Sequence, residues 1–401
     1  MISLPPVFRY PGFRLYWLGI TFSQIGSRAT VAANLWQVQD LTDSTLAVGI
    51  VSLLEGLALI VLGPIGGSVA DRVDRRRLVQ VAQAASLLAS LALAALTLAG
   101  RISPPWIYAS VLVVGAAAPF DVPARQSLIP ALVPRDRIVD AFAVVVPSRQ
   151  LAVLLGPSLA GVLIAAWGAG AVYAFDVATY AALIVTFAYI GFEKLDPPAP
   201  QKLWSSIAEG FGYVKSRPLI WQLMALDFVA TFFGAYRVLL PALARDVFQV
   251  GASGYGLLAS APAVGSILGA GATYRLRAFA HKGWLVLAAT ALYGTSGIAL
   301  GYAPAFLIAL VLAGALGFFD AVAVTVRQAV TQLETPDRLR GRVSALYQMV
   351  ARGGPALGQA QMGALAAAIG GPLALAIGSA LTLGYTVSLS LGGSTVRDYE
   401  D

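Results

Sequence analysis

Charged side chains that fall inside long apolar runs are the residues of this chain with chemistry to explain. Such groups are costly in hydrocarbon, and they persist where they face a cavity, a partner charge or a mobile proton. Arg28 stands within the first apolar run and Glu55 within the second. Antiparallel neighbours carry the two at similar depth, within pairing reach. A carboxylate that can exchange an arginine for a proton or a cation is what solute coupling requires. A static ion pair fits the same two residues equally well. Asp227 has no partner legible in the sequence, because Arg237 is three helical turns further on. Asp176 reads as either a substrate contact or a helix-end group. Asp320 reads as a partner for Arg327 or as a stand-in for an acid missing elsewhere.

A second concentration of charge is the stretch Gly66–Leu78, GGSVADRVDRRRL. Asp71 and Arg75 are four residues apart, the spacing that puts an acid and a base on one face of a helical turn. The fourth apolar run ends at the same membrane face and brings Asp121 to it. Acid, base and acid then form a latch between helices, with Gly63 and Gly67 allowing close approach beneath it. The competing reading is that Arg72, Arg75, Arg76 and Arg77 only fix topology. Gly156-Pro157 and Gly354-Pro355 are expected to interrupt and kink their helices, with Arg149 and Arg352 just before them. Gln24, Asn34, Asp176, Tyr236, Arg149 and Arg352 are the residues expected to line a central cavity.

The elements that must hold these groups follow from composition. The chain has 401 residues, 58% hydrophobic and 12% charged. Its mean hydropathy is +0.76. A hydrocarbon core about 30 Å thick requires runs of about 20 apolar residues, and this sequence contains many. Breaks at charge, Pro and Gly give twelve spans: 14–39, 46–70, 78–98, 106–124, 141–167, 170–191, 218–240, 253–274, 284–302, 305–326, 344–368 and 373–392. Arginine and lysine concentrate on one side of this topology, leaving Arg101 and Arg245 on the other. The positive-inside rule therefore puts both termini in the cytoplasm. The same rule accounts for a pI near 9.7 without a nucleic-acid partner. The chain has no cysteine, so disulfides and thiolate chemistry are excluded, and its one histidine, His281, falls in a short basic loop.

Residues 193–217 form the one long polar connection, with an amphipathic stretch LWSSIAEGFGYV suited to a helix on the membrane surface. They divide the chain into six-helix bundles at 1–192 and 218–401. The halves echo each other. Arg125-Gln126 is followed by Pro134 as Arg327-Gln328 is by Pro336, and each fifth helix carries a Gly-Pro step. Repeated halves with matching interruptions point to an alternating-access carrier.

The loop Gly67-Ser-Val-Ala-Asp71-Arg72-Val-Asp74-Arg75-Arg76 resembles the signature between helices 2 and 3 of the major facilitator superfamily, except that Asp74 stands where a glycine is common. The segments ARQSLIPALVPRDRIVDAF and GRVSALYQMVARGGPALG, with the linker pattern W-x-x-x-x-E-G-x-x-Y, resemble the enterobactin-exporter branch, itself similar to macrolide-efflux proteins. The resemblance spans essentially the whole chain. It implies an all-α fold of twelve helices in two pseudo-symmetric bundles, and a latch of Gly67, Asp71, Arg72, Arg75 and Asp121 that stabilises the outward-facing state. It also links a Gly-Pro in helix 5 to antiporters, although the match here, GPSLAG, is partial. The basic-plus-Gln element expected early in helix 4 is absent from VLVVGAAAPF. The matching loop of the second half, Tyr274-Arg-Leu-Arg277, lacks the acid.

The function expected is export of an amphipathic drug or siderophore across a bacterial inner membrane by a monomer, coupled to protons through Glu55, Asp227 or Arg28. The alternatives are an uncoupled facilitator or importer of a polar solute, and a scaffold or sensor that has lost transport. No enzyme class is indicated: GxxxxGK[ST], HExxH and GxSxG are all missing. No cofactor or metal is implied.

Overall fold

The computed structural model describes residues 5–70, 73–190 and 203–400. Thirteen long helices account for nearly all of them. These are α1 (Pro11–Thr42), α2 (Thr45–Ala70), α3 (Arg75–Leu98), α4 (Pro104–Leu128), α5 (Ile138–Trp167) and α6 (Ala169–Tyr189), then α7 (Leu203–Ser216). They continue with α8 (Pro218–Phe233), α9 (Gly251–Arg275), α10 (Lys282–Gly301), α11 (Phe306–Leu333), α12 (Asp337–Ile369) and α13 (Gly371–Leu391). All but α7 correspond to the twelve expected spans. Ten segments pass on length and apolar composition alone. The two that do not are α1 and α12, whose polar residues lower the mean: Arg28, Asn34 and three glutamines in one, four arginines and three glutamines in the other.

Contacts divide the chain into two compact units, Met1–Thr42 with Leu57–Pro200, and Asp43–Gly56 with Gln201–Asp401. In the first unit α1 packs on α5 and α6, and α3 on α4 and α6. In the second, α8 packs on α12 and α13, and α10 on α11 and α13. The four pairings named for the first unit recur in the second, so the repeat legible in the sequence extends to packing. Each unit also closes its last hairpin in the same way. Gly168 turns α5 into α6 at φ 79°, and Gly370 turns α12 into α13 at φ 87°. A side chain at either position would be strained in that left-handed conformation.

Neither Gly-Pro step breaks its helix, contrary to expectation: α5 and α12 run through Pro157 and Pro355 without interruption. What the two glycines provide is proximity. A Cβ at Gly156 would fall on Cβ of Arg28, and 3.0 Å from the backbone nitrogen of Ala29, so α1 and α5 touch there. A Cβ at Gly354 would lie 2.7 Å from Thr231 Oγ1, where α8 meets α12. The equivalent crossing is made close by the equivalent glycine in both units.

The interruption that does occur lies elsewhere. The helix expected over 218–240 ends at Phe233, and after Gly234–Tyr236 the chain resumes as a 3-10 turn (Arg237–Leu239) and a π-helical turn (Leu243–Val247). Tyr293 of α10 donates a 2.8 Å hydrogen bond to the carbonyl of Gly234. A polar backbone group freed by the break is thereby satisfied. The amphipathic stretch is helical, as α7, and it docks on α12. Val214 is buried with Leu339 and Val343, Tyr213 donates to the carbonyl of Glu334 at 2.8 Å, and Glu209 pairs with Arg342.

Candidate transport site

Asp227 of α8 and Arg327 of α11 form an ion pair deep inside the second unit. Both side chains are buried, and Arg327 is the largest fully buried side chain among the described residues. The pair joins helices whose sequence positions differ by 100 residues. Around it stand Asp320, half-buried on α11, and Tyr347 of α12, both near enough to act electrostatically on Arg327. Arg237 sits just past the break after α8, exposed, with Tyr236, Asp320 and Tyr293 as its electrostatic neighbours. Two acids and two arginines thus share one region of the unit, next to irregular backbone. Discontinuous helices of this kind are how membrane carriers build binding sites at mid-depth.

Of the two buried acids among its described residues, the first unit holds one differently. Asp176 of α6 is fully buried. Its Oδ2 accepts hydrogen bonds from Thr30 Oγ1 of α1 at 2.8 Å and from Ser90 Oγ of α3 at 2.9 Å. Thr179, one turn on, reaches Oδ1 at 3.4 Å while donating to the Asp176 carbonyl at 2.9 Å. Among the described residues no arginine or lysine forms an ion pair with it. Gly26 covers the carboxyl from α1: a Cβ there would lie 2.7 Å from Asp176 Oδ1 and 2.5 Å from Thr179 Oγ1. The polar seam runs on in both directions. Tyr180 shares a 3.0 Å hydrogen bond with Ser27, and Tyr173 bonds Asn34 at 3.0 Å and Gln37 at 2.8 Å.

Three comparisons bear on what this arrangement belongs to. Residues 3–395 match the profile of a major facilitator family described as "transmembrane secretion effector". The chain belongs to the major facilitator superfamily. It is 28% identical over 370 residues to the enterobactin exporter EntS of Escherichia coli O139:H28, covering 92% of this chain and 88% of the relative. The same values hold for the enterobactin exporter EntS of Escherichia fergusonii. In fold it resembles the nucleoside transporter NupG (TM-score 0.72, 14% identity, 94% of this chain and 98% of that one). It also resembles a bacterial homologue of the human lysosomal transporter Spinster (TM-score 0.71, 15% identity, 99% and 96%). The protein is accordingly a multi-pass membrane transporter.

In this superfamily member, Asp71 and Arg72 of the signature loop lie outside the described residues, and Gly67 falls within α2. Asp74, the departure from the usual glycine, caps α3: its carboxylate accepts from the backbone N–H of Arg76 at 2.9 Å and of Arg77 at 3.3 Å. Arg75 is half-buried in the first turn of that helix. Asp121 is buried and ion-paired with Arg125 of its own helix. The four-residue spacing that makes this pair is legible in the sequence.

The remaining expected residues divide by burial. Arg28, Glu55, Arg149 and Arg352 are exposed, and Glu55 makes no ion pair among the described residues. Gln24 is half-buried. Asn34, Asp176 and Tyr236 are buried, so the first two belong to the polar seam and not to an open lining. Three hydroxyl side chains at Asp176 were missed, because only Thr179 is near it in sequence. Arg327 was legible as a repeat position, but its partner was not.

Proposed function

We propose that this transporter exports an amphipathic small organic molecule, a siderophore or a drug, by alternating access coupled to inward proton movement. The carrying observation is the 28% identity to an enterobactin exporter over 92% of this chain. In the proposed cycle the two halves, 1–192 and 218–401, are the moving bodies and 193–217 joins them. The working unit is a monomer in a cell inner membrane with both termini cytoplasmic, the orientation that the arginine and lysine distribution supports. The loop residues Asp71, Arg72 and Arg75 favour the outward-facing state, with Asp121 held to that face by Arg125. A proton or substrate shifts such an equilibrium only by binding one state more tightly than the other.

The test is efflux from proteoliposomes loaded with cationic dyes, macrolides or catecholate siderophores, with and without an imposed pH gradient. Gradient-dependent efflux of any of these is the expected result. Efflux indifferent to the gradient would replace coupling by facilitation. The same assay on Glu55→Gln measures what that acid contributes to coupling, since a facilitator needs no titratable group there.

A further inference from the structure

We propose that Asp176 is the proton-carrying group of the transporter, held in a cage of hydroxyls that serves the carboxyl in either protonation state. The inference deepens the exporter reading and rests on its proton coupling. The argument is one of hydrogen-bond inventory. An arginine has donors only and cannot give up its charge, so it fits a carboxylate and not a carboxylic acid. That is the partner of Asp227. A hydroxyl is both donor and acceptor, with a hydrogen that rotates to suit. Thr30 and Ser90 donate to the carboxylate, and Thr179, whose one hydrogen goes to the Asp176 carbonyl at 2.9 Å, stands 3.4 Å from it. When the carboxyl gains a proton, one of them can turn and accept from it, and no heavy atom has to move.

Among the described residues no arginine or lysine pairs with Asp176 to fix its charge. The helices packed on α6 are α1, α3 and α5. From α1 Thr30 faces the carboxyl and from α3 Ser90, while Arg28 of α1 and Arg149 of α5 are exposed. Tyr180 of its own helix is the titratable side chain within its electrostatic reach. Gly26 presses the α1 backbone over the carboxyl, so the cage is closed on that side by packing. The cage also joins three helices of one bundle. A proton arriving there changes the hydrogen bonding between α1, α3 and α6 at once.

Two readouts test this on the full-length protein in lipid. The first is infrared difference spectroscopy as the pH is stepped. Wild type should show the C=O stretch of a protonated carboxyl that is absent in Asp176→Asn and displaced in Ser90→Ala, a variant that keeps the carboxyl and loses one cage donor. A spectrum with no band dependent on Asp176 overturns the proposal. The second is transport by Asp176→Asn of a dye that wild type exports. Loss of pH-driven efflux with retention of exchange between internal and external dye is expected. Retained pH-driven efflux, or wild-type efflux driven by sodium in place of protons, overturns the assignment and leaves the exporter standing. If wild type moves none of the test substrates, the exporter reading fails, and the infrared band still decides whether Asp176 takes a proton.

Discussion

Asp227 of the second unit and Asp176 of the first are buried acids held by opposite means. Asp227 is locked to Arg327 across two helices, and Asp176 is solvated by hydroxyls from three. The first arrangement is a charge pair that loses either member only at great cost. The second is a neutral cage around one ionisable group. The units otherwise repeat each other in packing, in the hairpin glycines Gly168 and Gly370, and in the crossings at Gly156 and Gly354. The difference therefore lies in side-chain chemistry on a shared frame: each unit has an ion pair, Asp121 with Arg125 in the first and Asp227 with Arg327 in the second, and the first carries the hydroxyl-held Asp176 in addition.

Breaking the fixed joint should have the largest effect on the molecule. In Arg327→Met the carboxylate of Asp227 is left buried and uncompensated, which for a buried pair costs about 3–5 kcal/mol. The double variant Asp227→Leu/Arg327→Met should recover most of that loss, because neither charge then remains. Thermal unfolding in detergent, followed by loss of the monodisperse peak, checks both. A single variant as stable as wild type would mean that the pair is not the joint described here. Arg125→Met in the first unit should cost less, since Arg125 is 15% exposed and its partner Asp121 lies on the same helix.

The shared frame can be probed where the two crossings differ in what stands opposite the glycine. A methyl at Gly156 meets Cβ of Arg28 and the backbone of Ala29, neither of which can turn aside. At Gly354 it meets the hydroxyl of Thr231, which can. Gly156→Ala should therefore lower stability by the about 1–3 kcal/mol typical of overpacking, and Gly354→Ala by clearly less. Equal melting shifts would show that the α1–α5 crossing yields as easily as its counterpart.

How much of this was legible beforehand depended on sequence distance. Apolar runs of membrane length set the twelve spans, and local spacing set α7 and the repeat. The interruption of α8 was missed because Gly234 and Ala235 are small and apolar, so nothing in FFGAYR separates a break from a continuing span. The Gly-Pro steps misled in the other direction: proline does cost a helix a hydrogen bond, yet the close crossing is the work of its glycine neighbour. Asp227 and Arg327 are each conspicuous alone, but their pairing is a property of how α8 and α11 pack. The cage at Asp176 is the same case, since Thr30 and Ser90 are ordinary residues until tertiary structure brings them to one carboxyl.

The smallest effect concerns the signature loop, where this chain has an acid in place of the usual glycine. Asp74 accepts two backbone N–H groups at the start of α3, and those groups have no partner within the helix. Its charge also lies at the positive end of the helix dipole. Asp74→Ala should therefore cost about 1 kcal/mol, the usual worth of a cap, and Asp74→Asn less, because the amide oxygen still accepts. Asp74→Gly restores the residue more common at this position and should cost only a few tenths of a kcal/mol. If all three variants melt together with wild type, the cap contributes nothing, and Asp74 would be one more charge on a face already crowded with arginines. Melting in the order Asp, Asn, Gly, Ala would establish that the departure from the family pattern is a local stabilising substitution.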